Sequence, residues 1–146
     1  MTFESKRMAI GSDHRARGIV DSLVQHMQSS GWIVTTHYGG DADSVDYPLI
    51  AKEVTDAIQN GDACCGVLIC GSGIGMSMAA NKANSIRAAL VHDSHSAQMS
   101  RKHNDANVLC MAADGPFDPD FKDILNNWIA AEFEGGRHQR RVELMV

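Results

Sequence analysis

The chain has 146 residues, of which 44% are apolar, enough for one compact domain with a buried core over residues 1–146. Its net charge of −5 and its mixed charges argue against a nucleic-acid-binding protein, which usually presents a basic face. No apolar run is long enough to span a bilayer, and no signal-peptide core follows the first seven residues. We therefore expect a cytoplasmic protein with no membrane partner.

Apolar runs and helical patterns alternate along the chain. Strands are predicted at residues 7–11, 32–38, 65–70, 86–91 and 108–112. Helices are predicted at residues 16–30, 49–59, from the glycine loop to about 82, 94–103, 118–133 and 137–146, with a turn-rich stretch before the second. This alternation predicts a doubly wound, three-layer αβα (Rossmann-like) fold with a five-stranded parallel sheet. Ligands of such folds bind beyond the carboxyl ends of the strands.

The four cysteines do not form a disulfide or zinc pattern. Cys64 and Cys65 are adjacent, no CxxC pair occurs, and no histidine lies at zinc-finger spacing from them. We expect no metal site and no disulfide framework. Cys65 and Cys110 are interpreted as buried strand residues.

The third predicted strand ends in a thiol that is followed by alternating glycines. Cys70 precedes a loop that contains Gly71, Gly73 and Gly75, at a predicted helix N-terminus. Such a position favours negative charge, so Cys70 is either a base or nucleophile, or an inert buried cysteine. The loop is not a dinucleotide fingerprint, because Met76 replaces the third glycine and the loop follows the third strand. It is either an anion or oxyanion nest or a tight turn.

Polar residues after other elements are further candidates. Asp13 and His14 follow the first strand, where they either reach a ligand or, for Asp13, cap the next helix. His103 and Asn104 end the fourth helix and are either ligand-binding or a C-terminal cap.

A basic segment follows a pair of glycines near the C-terminus. Arg137 and Arg141 are four residues apart and share one helix face. Two guanidinium groups on one face suit a phosphate, although a solvated basic tail has the same pattern.

Taken together, these segments resemble the type B ribose-5-phosphate isomerases, whose superfamily also contains galactose-6-phosphate isomerase subunits. The resemblance covers roughly residues 7–145. The motifs that carry it are Gly11-Ser12-Asp13-His14, Asp46-Tyr47-Pro48, Ile69-Cys70-Gly71-Ser72-Gly73-Ile74-Gly75, Ala79-Ala80-Asn81-Lys82, Ser100-Arg101-Lys102-His103-Asn104-Asp105 and Glu134-Gly135-Gly136-Arg137-His138-Gln139-Arg140-Arg141-Val142-Glu143.

The resemblance implies an aldose–ketose isomerase of the pentose phosphate pathway that needs no metal or cofactor. It would interconvert D-ribose 5-phosphate and D-ribulose 5-phosphate through an enediolate, with Cys70 as the base. One branch of the family uses a glutamate at the position of Met76, so the chain resembles the cysteine branch. His103 would help open the sugar ring, with Asp13 on the ring hydroxyls.

The resemblance also implies binding residues and a partner. The oxyanion would be held by Ser72 and by the amides of Gly71 to Gly75, including that of Gly73. The phosphate would be bound by His14, Arg137 and Arg141, and the site lined by Tyr47, Asn81 and Asn104. Family members form dimers, here a homodimer or a dimer of dimers, whose active sites take residues from both subunits. The C-terminal helix would then reach the partner subunit.

One departure from the family leaves the substrate open. Asp114 occupies the place where many members carry a phosphate-binding arginine. Either its loop turns away, or Arg140 substitutes, or the ligand differs. The alternatives are an isomerase of another sugar or sugar phosphate, such as a tetrose or hexose phosphate, and a non-catalytic sugar-phosphate-binding module. The intact set of Cys70, Asp13, His103 and Ser72 argues against the module.

Overall fold

The computed structural model, which describes residues 3–39, 45–116 and 118–145, contains a five-stranded sheet in which all strands are parallel. The strands are β1 (Arg7–Ser12), β2 (Ile33–His37), β3 (Cys65–Cys70), β4 (Ala88–Leu90) and β5 (Val108–Ala112), in the order β2-β1-β3-β5-β4. The predicted doubly wound α/β fold is confirmed. Residues 40–44 of the predicted turn-rich stretch and residue 146 of the predicted last helix lie outside the described residues.

Helices cover both faces of the sheet. They are α1 (Arg17–Ser29), α2 (Tyr47–Gln59), α3 (Ile74–Ala80), α4 (Ser94–Asn104), α5 (Phe121–Ala130) and α6 (Arg137–Glu143), with one 3₁₀ turn (His14–Ala16) before α1. The α1 and α5 side chains pack on one face with Val67 and Ile69 of β3, while α2 and α3 pack on the other with Leu68 and Cys70. Within the described ranges, no helix has both the length and the apolar content that a bilayer crossing requires.

Local polar contacts explain where the elements differ from the predicted bounds. The helix predicted at 118–133 is shorter because the Asp120 carboxylate caps α5 by accepting the Asp123 N–H (3.0 Å) and the chain is extended at Ala131. The strand predicted at 86–91 is also shorter. Its first residue, Ala88, exchanges backbone hydrogen bonds with the Asn81 side-chain amide (2.8 and 2.9 Å).

The parallel sheet has two chemically different edges. All strands end at the carboxyl edge, where Cys70 of β3 lies in register with Ala112 of β5. Helix α4 leads back to the amino edge, because Asn107, just beyond it, accepts the Gly66 N–H at the start of β3 (2.9 Å). Four residues of strand, about 13 Å, separate Gly66 from Cys70. A residue at the end of α4 therefore lies at the opposite edge from one that follows β3.

Candidate active site

Cys70 ends β3 under a glycine turn that points a backbone donor at its sulfur. The side chain faces the α2–α3 layer and is 7% exposed. The Gly73 N–H donates to the Cys70 Sγ (3.2 Å), so the positive end of the amide dipole lies against the sulfur and stabilises negative charge there. Gly73 has φ +73°, and a Cβ on it would lie 3.0 Å from the Met111 carbonyl oxygen, so this turn requires glycine.

Ser72 belongs to this glycine loop, and Tyr47 of α2 packs against it. The Ser72 Oγ accepts the Ile74 N–H (3.2 Å), which leaves the hydroxyl proton for donation to a ligand. The Tyr47 side chain, at the first turn of α2, covers Gly75: a Cβ on Gly75 would lie within 2.7 Å of two ring carbons and of the hydroxyl oxygen. Tyr47 is 42% exposed, so its ring lines the site and remains accessible to a ligand.

Asp13 is held beside the end of β3. Its N–H donates to the Ile69 carbonyl (3.3 Å), one residue before Cys70. Its carboxylate accepts the Arg15 N–H (3.1 Å) and caps the 3₁₀ turn, so the capping role is confirmed while a carboxylate oxygen remains for a ligand. His14 follows on the exposed side of the turn. We call Asp13, His14, Tyr47 and the loop from Cys70 to Gly75 the carboxyl-edge group.

The other strand cysteines are buried thiols with raised pKa values. Cys65 and Cys110 are fully buried, which confirms their interpretation as core residues. Burial raises the pKa of the Cys110 thiol far above its usual value, and the nearby Cys70 adds to the effect. Burial likewise raises the pKa of Cys65. Cys70 is therefore the strand cysteine that combines some exposure with a backbone donor on its sulfur.

A second group forms where α4 meets α6. The His103 ring, in the last turn of α4, stacks on the His138 ring of α6 with centroids 4.3 Å apart and planes 12° apart. Both Nε2 atoms lie 3.7 Å from the Glu134 Oε1. Removal of its ring from water lowers the pKa of His138, and the neighbouring His103 and Arg137 lower it further.

This second group offers metal-ligand atoms in a cationic setting. Each of three side chains offers one possible ligand atom: His103, Glu134 and His138. These three atoms lie within 4.8 Å of one another, close enough to surround a metal ion. Arg137 and Arg141 of α6 are exposed beside them. Their charges repel a divalent cation and favour an anion such as phosphate. We call His103, Asn104, Glu134 and the α6 residues Arg137, His138 and Arg141 the amino-edge group.

Asn81 and Asn104 lie with the amino-edge group. The Asn81 side chain is occupied by the Ala88 backbone, so it holds the start of β4. Asn81 and Asn104 line the same cavity of about 410 Å³, together with Arg87. A role for Asn81 beside Cys70 of its own chain is not supported by this placement.

The structure thus divides the predicted site residues between two edges of one chain. Asp13, His14 and Cys70 come together as predicted, but His103 and the α6 arginines lie at the other edge. The order of elements in the sequence was sufficient to predict this division, because a helix that follows a strand of a parallel sheet returns the chain to the amino edge. The stacking of His138 on His103 and the position of Glu134 could not be read from spacing.

The Asp114 loop does not turn away from the site. The Asp114 N–H donates to the Gly71 carbonyl (2.9 Å), and its Oδ2 lies 2.9 Å from the Arg15 Nη2. The expectation that the loop could turn away is therefore wrong. Arg140 belongs to α6 and the amino edge, so within one chain Arg15 is the cation paired with Asp114. Sequence reasoning did not single out Arg15, which lies 99 positions from its partner.

Comparison with known proteins identifies the family of the chain. The Ribose/Galactose Isomerase family model matches residues 8–145. The chain belongs to the ribose/galactose isomerase family. "Ribose-5-phosphate isomerase B" of Escherichia coli is 40% identical over 141 residues, covering 97% of this chain and 95% of the relative. The solved ribose 5-phosphate isomerase B of Anaplasma phagocytophilum has a TM-score of 0.87 at 40% identity, covering 97% of each chain.

Family membership makes this chain an enzyme, an aldose–ketose isomerase. The relatives nevertheless carry different substrate names. "D-erythrulose-4-phosphate isomerase" of Pectobacterium atrosepticum is also 40% identical, over 138 residues that cover 93% of this chain and 90% of the relative. Overall identity therefore does not distinguish between a five-carbon and a four-carbon substrate.

Proposed function

We propose that this ribose/galactose isomerase interconverts D-ribose 5-phosphate and D-ribulose 5-phosphate, with Cys70 as the base. The family comparison supports an isomerase of sugar phosphates. The observation that carries the assignment of the base is the hydrogen bond from the Gly73 N–H to the Cys70 Sγ at the carboxyl edge. A metal-independent isomerisation needs one base that serves two adjacent carbons and a polar site for the oxyanion.

The reaction proceeds through an enediolate. The Cys70 thiolate removes the proton from C2 of the open-chain aldose, and the C–H electron pair forms the C1=C2 bond as O1 becomes an oxyanion. The thiol then returns the proton to C1 while a proton passes from O2 to O1, which leaves the ketose carbonyl at C2. The Ser72 hydroxyl, whose oxygen already accepts the Ile74 N–H, donates to the developing oxyanion. Asp13 binds a sugar hydroxyl beside the base.

The remaining residues require a second copy of the chain. His103, which would open the ring, lies at the opposite edge from Cys70 of its own subunit. In a homodimer, or a dimer of dimers, the amino-edge group of one subunit completes the carboxyl-edge group of its partner. Exposed apolar side chains on α2 and α3, beside the loop, suit such an interface: Leu49 (60% exposed), Ile74 (48%) and Met78 (64%).

A turnover assay in D₂O tests the reaction and the substrate together. We expect the enzyme to convert ribose 5-phosphate and to incorporate deuterium at C1 or C2, because a thiol exchanges its proton with solvent. The panel compares four-, five- and six-carbon sugars with and without phosphate. Binding of ribose 5-phosphate without exchange would contradict catalysis and indicate a binding module. Equal turnover of free sugars would contradict the phosphate assignment.

A four-carbon sugar phosphate is the second candidate substrate. The D-erythrulose-4-phosphate relative is as similar as the ribose-5-phosphate relative. In addition, Asp114 stands where many family members carry an arginine, so the loop that contacts Gly71 carries a negative charge instead of a positive one. A kcat/KM on a tetrose phosphate that exceeds the value on ribose 5-phosphate would establish this alternative in place of the first.

A further inference from the structure

An ion pair closes over the residue that follows Cys70. The Arg15 Nη2 lies 2.9 Å from the Asp114 Oδ2. A Cβ placed on Gly71 would lie 3.5 Å from that carboxylate oxygen and 3.6 Å from the Arg15 Nη1. These are ordinary van der Waals distances, so the ion pair lies close to the backbone at Gly71. The pair forms part of the wall of the carboxyl-edge group.

The ion pair is poorly placed to stabilise the fold. The side chains of Arg15 and Asp114 are 59% and 52% exposed, and exposed pairs of this kind contribute little to folding stability. Each partner is instead fixed at its backbone. The Arg15 N–H donates to the Asp13 carboxylate, and the Asp114 N–H donates to the Gly71 carbonyl. The pair therefore holds a guanidinium group in one orientation beside the loop.

We propose that Arg15 binds the phosphate of the substrate and that Asp114 is its positioning residue. The inference rests on the proposed function, because it assigns a ligand to the same site. The ion pair engages Nη2 and leaves Nη1 directed toward Gly71, and a planar guanidinium offers several donors to phosphate oxygens. His14 precedes Arg15 on the same turn, and both residues are exposed.

The ion pair also explains how the acidic residue Asp114 can lie near a phosphate dianion. An isolated Asp114 carboxylate would repel a phosphate, but at 2.9 Å from Arg15 its charge is balanced locally. The cation that a phosphate site requires is then Arg15, in the turn after β1. Asp114, in the loop after β5, holds Arg15 in place. Arg15 thereby sets the distance between the substrate's phosphate and Cys70, and so the length of sugar that fits.

The test compares the variants Arg15→Gln, Asp114→Asn and the double variant, with Lys52→Gln as the control. Lys52 also forms an exposed ion pair, with Asp56 on α2. For Arg15→Gln we expect KM for the phosphorylated substrate, and the inhibition constant of inorganic phosphate, to rise about tenfold, with kcat within about threefold. Asp114→Asn raises both constants by a smaller factor, and the double variant matches Arg15→Gln alone. Lys52→Gln leaves them unchanged.

Three results would overturn the assignment: unchanged constants in Arg15→Gln, a lower KM in Asp114→Asn, or additive effects in the double variant. The assignment and the proposed function can fail separately. If the wild-type enzyme converts no sugar phosphate, the proposed function fails. Calorimetric binding of inorganic phosphate to wild type and Arg15→Gln then still decides whether Arg15 is a phosphate ligand.

Discussion

The carboxyl-edge and amino-edge groups are built in different ways. Around Cys70 the backbone sets the geometry, through the Gly73 N–H on the sulfur and the Asp13 N–H on β3. Around His103 one backbone hydrogen bond joins the Glu134 N–H to the Lys102 carbonyl (3.0 Å), but the contacts of the functional groups are between side chains: a stacked pair of rings near one carboxylate. The arginines of α6 are exposed. The difference suits their proposed tasks. A proton transfer needs fixed positions, whereas a phosphate can be bound by long side chains from a second subunit.

The largest expected effect follows from removing the proposed base of the carboxyl-edge group. Cys70→Ala lowers kcat by about 10³-fold, within the range of general-base contributions, while substrate binding is kept because the phosphate ligands are intact. Cys64→Ala is the matched control, since Cys64 is a partly exposed thiol immediately before β3. Steady-state kinetics and calorimetry measure both. A Cys70→Ala enzyme with unchanged kcat and weakened binding would reverse the assignment.

The α6 arginines of the amino-edge group are expected to affect KM instead of kcat. Arg137→Ala raises KM for phosphorylated substrates about 10- to 100-fold, because a charge-assisted hydrogen bond to phosphate is lost. KM for the free sugars changes little. Lys122→Ala, which removes an exposed cation from α5, is the control. If the ratio of the two KM values stays the same in Arg137→Ala, Arg137 does not contact the phosphate.

A smaller effect is expected from Gly75→Ala at the carboxyl-edge group. The added methyl group displaces the exposed Tyr47 ring, so kcat/KM falls about tenfold through altered positioning while the fold is kept. Gly18→Ala is the control, because nothing lies within 4 Å of its Cβ in α1. That variant gains about 0.4–1 kcal/mol of stability with unchanged activity. Equal activity of the two variants would show that Tyr47 does not shape the site.

The smallest expected effect is a pH dependence of stability in the amino-edge group. The pKa of His138 is lowered by removal from water and by His103 and Arg137, although Glu134 acts in the opposite direction. The unfolded chain therefore binds this proton first, near pH 6.5, and stability falls as the pH drops below that value. In His138→Gln the melting temperature depends less on pH between 7.5 and 5. Parallel curves for the two proteins would exclude this contribution.

The sequence predicted the fold more completely than the site. Alternating apolar runs and helical patterns were sufficient for the five parallel strands, and Cys70 was placed correctly because strand ends share one edge. The edge strand β2 differs from the expected apolar run, since most of its residues are exposed. Long-range side-chain pairs such as Arg15–Asp114 and His103–His138 leave no periodic signal in the sequence. Only the packed chain brings them together.

A mixing experiment tests most directly whether an active site is assembled from two subunits. Cys70→Ala and His103→Gln are purified separately, each with little activity, and are mixed under conditions that allow subunits to exchange. In a mixed dimer, the intact Cys70 of one chain faces the intact His103 of the other. Random reassortment therefore restores about one quarter of wild-type activity. No recovery, with subunit exchange confirmed by mass spectrometry, would show that both residues act within one chain and would contradict the shared site.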